Sequence, residues 1–145
     1  MVTTTTEAVS TEHPARLASQ RSIAAVQAKD KAAWLALFAD DAVVQAPVGK
    51  SFLDESGEGH RGHVAIGAFF DNNIAPVEAI RFELHDSFAA GDEVANVATI
   101  HMTLPGGATS RCEGVFVYRV RADGKLVSLR AFWEVDRMMA TLTQA

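Results

Sequence analysis

Cysteine and tyrosine occur once each in this chain, and basic clusters and long apolar runs are missing altogether. A single cysteine, Cys112, can form neither an internal disulfide nor a cysteine-based metal cluster. The 13 basic residues are scattered and outnumbered by 18 acidic ones, giving a net charge of −5, which excludes a phosphate-neutralising nucleic-acid surface. No apolar stretch approaches the ~18 residues of a membrane span. The opening MVTTTTEAVSTEH has no basic-then-apolar leader pattern. The five histidines show no metal-ligand spacing on any one element, and the glycines of residues 49–62 do not follow the strand–turn–helix pattern of a phosphate loop. The expectation is a cytoplasmic protein with no metal, no cofactor and neither nucleic acid nor membrane as a partner.

What is present suits one folded domain. The chain has 145 residues, 48% hydrophobic and 21% charged, close to a soluble globular average. Residues 1–12 are polar and Thr-rich with no apolar period, and predict a disordered tail before a single domain over 13–145. His13-Pro14 marks a helix start. Leu17, Ile23, Ala24 and Val26 give it a stripe to about Ala28. Asp30 is an N-cap for a short second helix through Trp34, Leu35, Leu37 and Phe38, ending at Asp40-Asp41. Ala42 to Ala46 is strand-like and limited by Pro47. A turn-rich stretch, 49–62, precedes a third helix from His63 to Ile74 with Val64, Ile66, Phe69 and Phe70 near helical spacing.

Four strands follow. Ile80, Phe82 and Leu84 alternate with Arg81, Glu83 and His85, and Ala98, Ile100, Met102 and Leu104 with Thr99, His101 and Thr103. Residues 113–120 are apolar on both faces in the middle. Asp123-Gly124 turns the chain into 126–135, which is expected to close the sheet. The implied fold is α+β: a cone-shaped, curved, mixed but mainly antiparallel sheet wrapped round three helices, with an apolar interior suited to a small apolar ligand.

Several segments resemble a known family. Ala39-Asp40-Asp41-Ala42-Val43-Val44 followed by Pro47-Val48-Gly49-Lys50-Ser51, Gly59-His60-Arg61-Gly62 entering a helix, and Asp123 through Trp133 (DGKLVSLRAFW) are similar to bacterial ketosteroid isomerases. The wider group is the nuclear transport factor 2-like, or SnoaL-like, superfamily. The resemblance spans about residues 14 to 137 and implies a cystatin-like α+β barrel with a steroid-sized cavity. It also implies a catalytic set: a carboxylate base, a tyrosine donor and a protonated aspartic acid on the dienolate oxygen. Residue by residue, the base position is Ala46, the tyrosine donor is Ser22, its supporting tyrosine is Phe70 and the aspartic acid is Phe116. An acid-to-alanine replacement would account for Ala46 alone and not for the other three. Alanine accepts no proton and phenylalanine donates none, so the usual isomerisation is expected to be impaired.

Other residues remain as candidates. Tyr118 shares parity with Phe116 and is either a donor to a ligand oxygen or a core tyrosine. Asp71 is either a substitute base near the cavity rim or a solvated helix residue. Val44, Ala46, Phe70, Met102, Phe116, Leu129, Ala131 and Trp133 are expected to line the cavity with Tyr118, from strand parity and the face that the family uses. Trp34 suits the helix core or a cavity lid. Glu113 should point outward, and Cys112 should be a small buried residue rather than a nucleophile. His85, His101 and the charged positions of the same parity occupy the outer face, by which relatives commonly form homodimers. Three functions stay open: a steroid isomerase-like enzyme with replacement groups, a lyase, dehydratase or cyclase acting on a polycyclic or aromatic substrate, and a non-catalytic binder of a steroid or similar flat apolar molecule.

Overall fold

The computed structural model describes residues 12–144. The expected tail, 1–12, lies outside the described residues except for Glu12, whose carboxylate stands 3.7 Å from Arg16. Helix α1, Pro14–Gln27, begins with proline in its first turn and the His13 ring accepting the Ala15 N–H at 3.1 Å. Ala15, Ala18, Ser19, Ser22, Ala25 and Val26 form its buried face. Helix α2, Lys31–Leu35, is capped by the Asp30 carboxylate, which accepts the Ala33 N–H at 3.0 Å.

The second helix is shorter than its apolar spacing suggests. Phe38 does not end it but opens strand β1, Phe38–Gln45. The Phe38 ring meets Trp34 edge-on at 5.0 Å, and its backbone pairs with Leu126. Tertiary pairing thus overrides a short helical pattern. Asp40 and Asp41 consequently lie within the strand, exposed, and not in a turn before it.

The segment 46–59 is organised by Asp54. Its carboxylate accepts the Ser56 hydroxyl at 2.8 Å and the N–H groups of Gly57 and Gly59 at 3.2 and 2.8 Å. Gly59, with φ 89°, lets the returning chain cross β1: a Cβ there would stand 2.9 Å from Val43 and 3.1 Å from the Val44 carbonyl oxygen. Strand β2, His60–Arg61, then pairs antiparallel with β1 and leads into α3, Gly62–Asn73.

Strands β3 (Ala79–Ala90), β4 (Glu93–Thr103), β5 (Thr109–Val120) and β6 (Leu126–Phe132) complete one six-stranded sheet of order β2-β1-β6-β5-β4-β3. Only the β1–β6 pair is parallel. The last strand therefore does not close an edge; it sits between β1 and β5 and joins the two halves of the chain. It ends at Phe132 because Trp133 crosses over Gly114, where a Cβ would meet the Phe132 carbonyl oxygen at 2.4 Å and Trp133 Cβ at 2.9 Å. A short helix α4, Val135–Met139, follows.

Helix α1 lies across β3, β4 and β5, and α3 packs on β1, so the helices cover one face of the sheet. A buried polar chain fixes α1 there. Asn96 donates to Ser19 Oγ at 3.1 Å and accepts from Ser87 Oγ at 2.8 Å, while Arg16 Nε donates to Ser87 Oγ at 3.0 Å. With every member paired, the network costs no unsatisfied group. Between Leu84 and Asp86 the β3–β4 register shifts, so the clean alternation of β3 breaks at His85, whose ring bonds Thr99 Oγ1 at 2.8 Å. Among the described residues, no helix is long and apolar enough to cross a membrane.

Candidate functional site

Between the helices and the inner face of the sheet lies a cavity of about 450 Å³, within the ~300–1,000 Å³ usual for small-molecule sites. Strand parity builds one wall: Ile80 and Phe82 of β3, Ile100 and Met102 of β4, Ser110, Cys112, Phe116 and Tyr118 of β5, and Leu129 and Ala131 of β6, with Trp133 beyond them. The helices supply Ser22 and Val26 from α1, Trp34 from α2, and Phe69, Asn72 and Asn73 from α3. Ala46, Phe52 and Leu53 enter from the 46–59 segment, and Met138 and Met139 from α4. Among the described residues, no Asp, Glu, His, Lys or Arg lines this space.

Seven of the residues expected around one cavity are brought together there: Ala46, Met102, Phe116, Tyr118, Leu129, Ala131 and Trp133. Val44 and Phe70 are not in its lining. Val44 is fully buried in the core, and Phe70 packs behind Trp34, ring centres 5.7 Å apart. On α3 it is Phe69, one residue earlier and about 100° round the helix, that reaches the cavity. Asp71 is also outside. It is exposed and its carboxylate pairs with Lys31 Nζ at 2.9 Å, so it is not placed to take a proton from a bound molecule. Glu113 points away and meets Arg137 at 3.0 Å, and His101 lies on the outer face, 2.8 Å from Glu83.

The polar groups of the cavity are few. At one end, the Trp34 indole N–H donates to Ser22 Oγ at 2.9 Å, both residues being 1% exposed. Ser22 then has its own proton to give, and the Tyr118 phenol is its neighbour. Burial raises the pKa of Tyr118 above the usual phenol range, and the Ser22 hydroxyl offsets only part of that, so the phenol keeps its proton and can donate it. Cys112 is buried too; desolvation, with a smaller contribution from the Glu113 charge, pushes its thiol up to about 12. Neither group is ionised near neutral pH, so neither is a base or a thiolate nucleophile there.

Ser110, Cys112, the Phe52-Leu53 pair and the two α4 methionines were not among the expected lining residues. Parity counted back from Phe116 points to Ser110 and Cys112, and an apolar pair inside a Gly-rich polar loop is itself a signal. The α4 contribution has no sequence mark.

A SnoaL-like domain model matches residues 19–129. Among solved structures, the chain is similar to Rv0760c from Mycobacterium tuberculosis in complex with estradiol-17beta-hemisuccinate. The two share 40% identity over 91% of this chain and 99% of that one, with a TM-score of 0.82. It is similar to the delta 5-3-ketosteroid isomerase from Mycobacterium sp., at 36% identity over 91% and 98%, TM-score 0.82. A computationally designed 17-OHP binder matches at 38% identity over 91% and 97%, TM-score 0.82.

Proposed function

The chain belongs to the SnoaL-like domain family, and within that fold we propose that it is a binding protein for a neutral, flat, apolar molecule of the steroid class, without the usual isomerase turnover. One observation carries this reading: the cavity has steroid-scale volume and an apolar lining, yet the only titratable side chains lining it among the described residues, Tyr118 and Cys112, both stay protonated near neutral pH. An apolar wall stabilises a bound ring system at roughly 25 cal/mol per Å² removed from water. Moving a proton between carbons needs a base in reach, and Ala46 offers none. Lyase, dehydratase and cyclase chemistry generally needs a positioned acid–base pair as well. Orientation comes from Tyr118 and Ser22, which present hydroxyls at the Trp34 end to a ligand carbonyl or hydroxyl. The similarity to a ketosteroid isomerase, to a complex with estradiol-17beta-hemisuccinate and to a designed 17-OHP binder supports the ligand class.

The test pairs binding with turnover. Titrating a 4-ene-3-ketosteroid should quench or shift indole fluorescence, because Trp34 and Trp133 both border the cavity. A 5-ene-3-ketosteroid should bind and remain unconjugated over hours. Robust isomerisation by this chain would refute the reading; so would failure of any 3-ketosteroid to bind.

A homodimer through the outer face of the sheet is part of the same proposal. Val115 and Phe132, paired across β5 and β6, are 37% and 42% exposed on this face, and the Arg130 guanidinium lies 5.2 Å from the Phe132 ring centre. A second copy would cover them. Light scattering at micromolar protein should give twice the chain mass, and a monomer mass would refute it.

A further inference from the structure

The cavity has a second polar point, far from the first. Ser110 is 3% exposed and borders the cavity, and among the described residues no side-chain hydrogen bond engages its hydroxyl, which is not sealed in the wall but open to the cavity. Its surroundings are apolar: Met102 lies opposite on β4, Cys112 is next on the same face of β5, and Leu104, Met138 and Met139 complete that part of the wall. A hydroxyl that faces an apolar cavity without a protein partner is free to bond whatever fills the cavity, and a ligand atom that cannot hydrogen-bond would leave it unpaired there. Ser110 and Tyr118 share one face of β5 and are eight residues apart, which is at most about 27 Å of extended strand before curvature and side-chain reach shorten it. A ligand oxygen held at Tyr118 therefore leaves room for a second oxygen well beyond it.

We infer that Ser110 is a specificity-determining residue that hydrogen-bonds an oxygen at the far end of the ligand. This rests on the steroid-class reading above and deepens it. The ligand is then elongated and oxygenated at both ends: a ring system whose keto or hydroxyl group meets Tyr118 and Ser22, with a substituent on the opposite end that carries a neutral carbonyl or hydroxyl. A carboxylate is not favoured, since among the described residues no cation lines the cavity to meet it.

The experiment compares three 3-ketosteroids by indole fluorescence on the full chain: androst-4-en-3-one, without a polar substituent at the far end, and progesterone and 11-deoxycorticosterone, with one and two oxygens there. In the wild-type chain the better of the two oxygenated ligands should bind more tightly than androst-4-en-3-one. Ser110→Ala should weaken that ligand about three- to tenfold, the scale of one hydrogen bond, and leave androst-4-en-3-one unchanged. Ser110→Thr, which keeps the hydroxyl, should restore the preference. Melting temperatures of the variants check that each is folded. If all three steroids bind equally to wild type and Ser110→Ala, the hydroxyl holds only water and this inference falls, while the steroid-class reading stands. If Ser110→Ala weakens all three by the same factor, the residue acts on cavity shape and the inference also falls. If none binds to wild type, both fall.

Discussion

Replacing Ser22 by alanine removes the acceptor of a buried indole N–H and probes the polar end of the cavity. Trp34 is 1% exposed and its only described hydrogen bond is the 2.9 Å contact to Ser22 Oγ. Losing that acceptor leaves the N–H unsatisfied, at a cost of about 1–3 kcal/mol. Alanine is the better helix former by about half a kcal/mol, and position 22 lies inside α1, so part of the loss is returned. The net expectation is a destabilisation of roughly 0.5–2.5 kcal/mol. For a domain of this size that lowers Tm by about 2–10 °C. Thermal unfolding followed by circular dichroism reads it directly. In a Trp133→Phe background the Trp34 emission should also shift, since the indole has lost its partner. A Ser22→Ala variant as stable as wild type, or more so, would show that water in the cavity satisfies the indole and that the Ser22–Trp34 bond does not order this end.

Three further outcomes are expected. Ala46→Asp should raise isomerisation of a 5-ene-3-ketosteroid by about 10²-fold over the parent chain, the lower end for a positioned base, because Phe116 and Ser22 leave the oxyanion poorly held. With no cation in the cavity its carboxyl pKa should be raised, so the rate climbs with pH, and adding Tyr118→Phe should cut kcat with little change in ligand affinity. Gly114→Ala should cost about 1–3 kcal/mol in denaturant unfolding and weaken ligand binding, since the new methyl would press on the Phe132 carbonyl and Trp133. The Asp54 carboxyl lies below the usual carboxylate range, chiefly through its bond to the Ser56 hydroxyl. Its contribution is therefore present above the ordinary carboxylate range and lost as pH falls through the depressed value. Asp54→Asn should remove that acid-side loss of order in the 46–59 segment, measurable by amide hydrogen exchange at Gly57 and Gly59.

Much of the cavity wall was legible because a strand's side-chain period is two and does not depend on its partners. Once Phe116 is set inward, Tyr118 on β5 follows, and on β6 Leu129 and Ala131 share one parity. What was not legible depends on contacts distant in sequence. Phe38 satisfies a helical spacing as well as a strand, and only its pairing with Leu126 decides between them. The bulge at His85 keeps a periodic sequence and changes the phase beyond it, so Phe88, in phase with Ile80 and Phe82, is 62% exposed while Ser87 turns inward to Asn96. On α3, Phe69 and Phe70 are equally apolar. Trp34 from another helix takes Phe70 as its packing partner and leaves Phe69 to the cavity. The resemblance to ketosteroid isomerases supplied the positions of the lost polar groups, which composition and period could not.

The positions that the resemblance assigns to catalytic groups form one physical pattern rather than separate ones. A base, a protonated acid and a tyrosine pair held in an apolar cavity each carry a desolvation cost that only tight hydrogen bonding or chemistry offsets. The position that the resemblance assigns to the aspartic acid is Phe116, whose ring packs edge-on to Phe82 at 6.2 Å, and the one it assigns to the supporting tyrosine is Phe70, packed on Trp34. The one it assigns to the tyrosine donor is Ser22, bonded to the Trp34 indole. Two of these positions pack on aromatic neighbours, Phe82 and Trp34, and the third holds the Trp34 indole, so packing stands where the resemblance would put catalytic polarity. Reintroducing one carboxylate at Ala46 leaves that packing in place, which is why the expected gain in rate is partial. In the proposed binder, affinity comes from apolar area and the Tyr118 hydroxyl and does not depend on those groups.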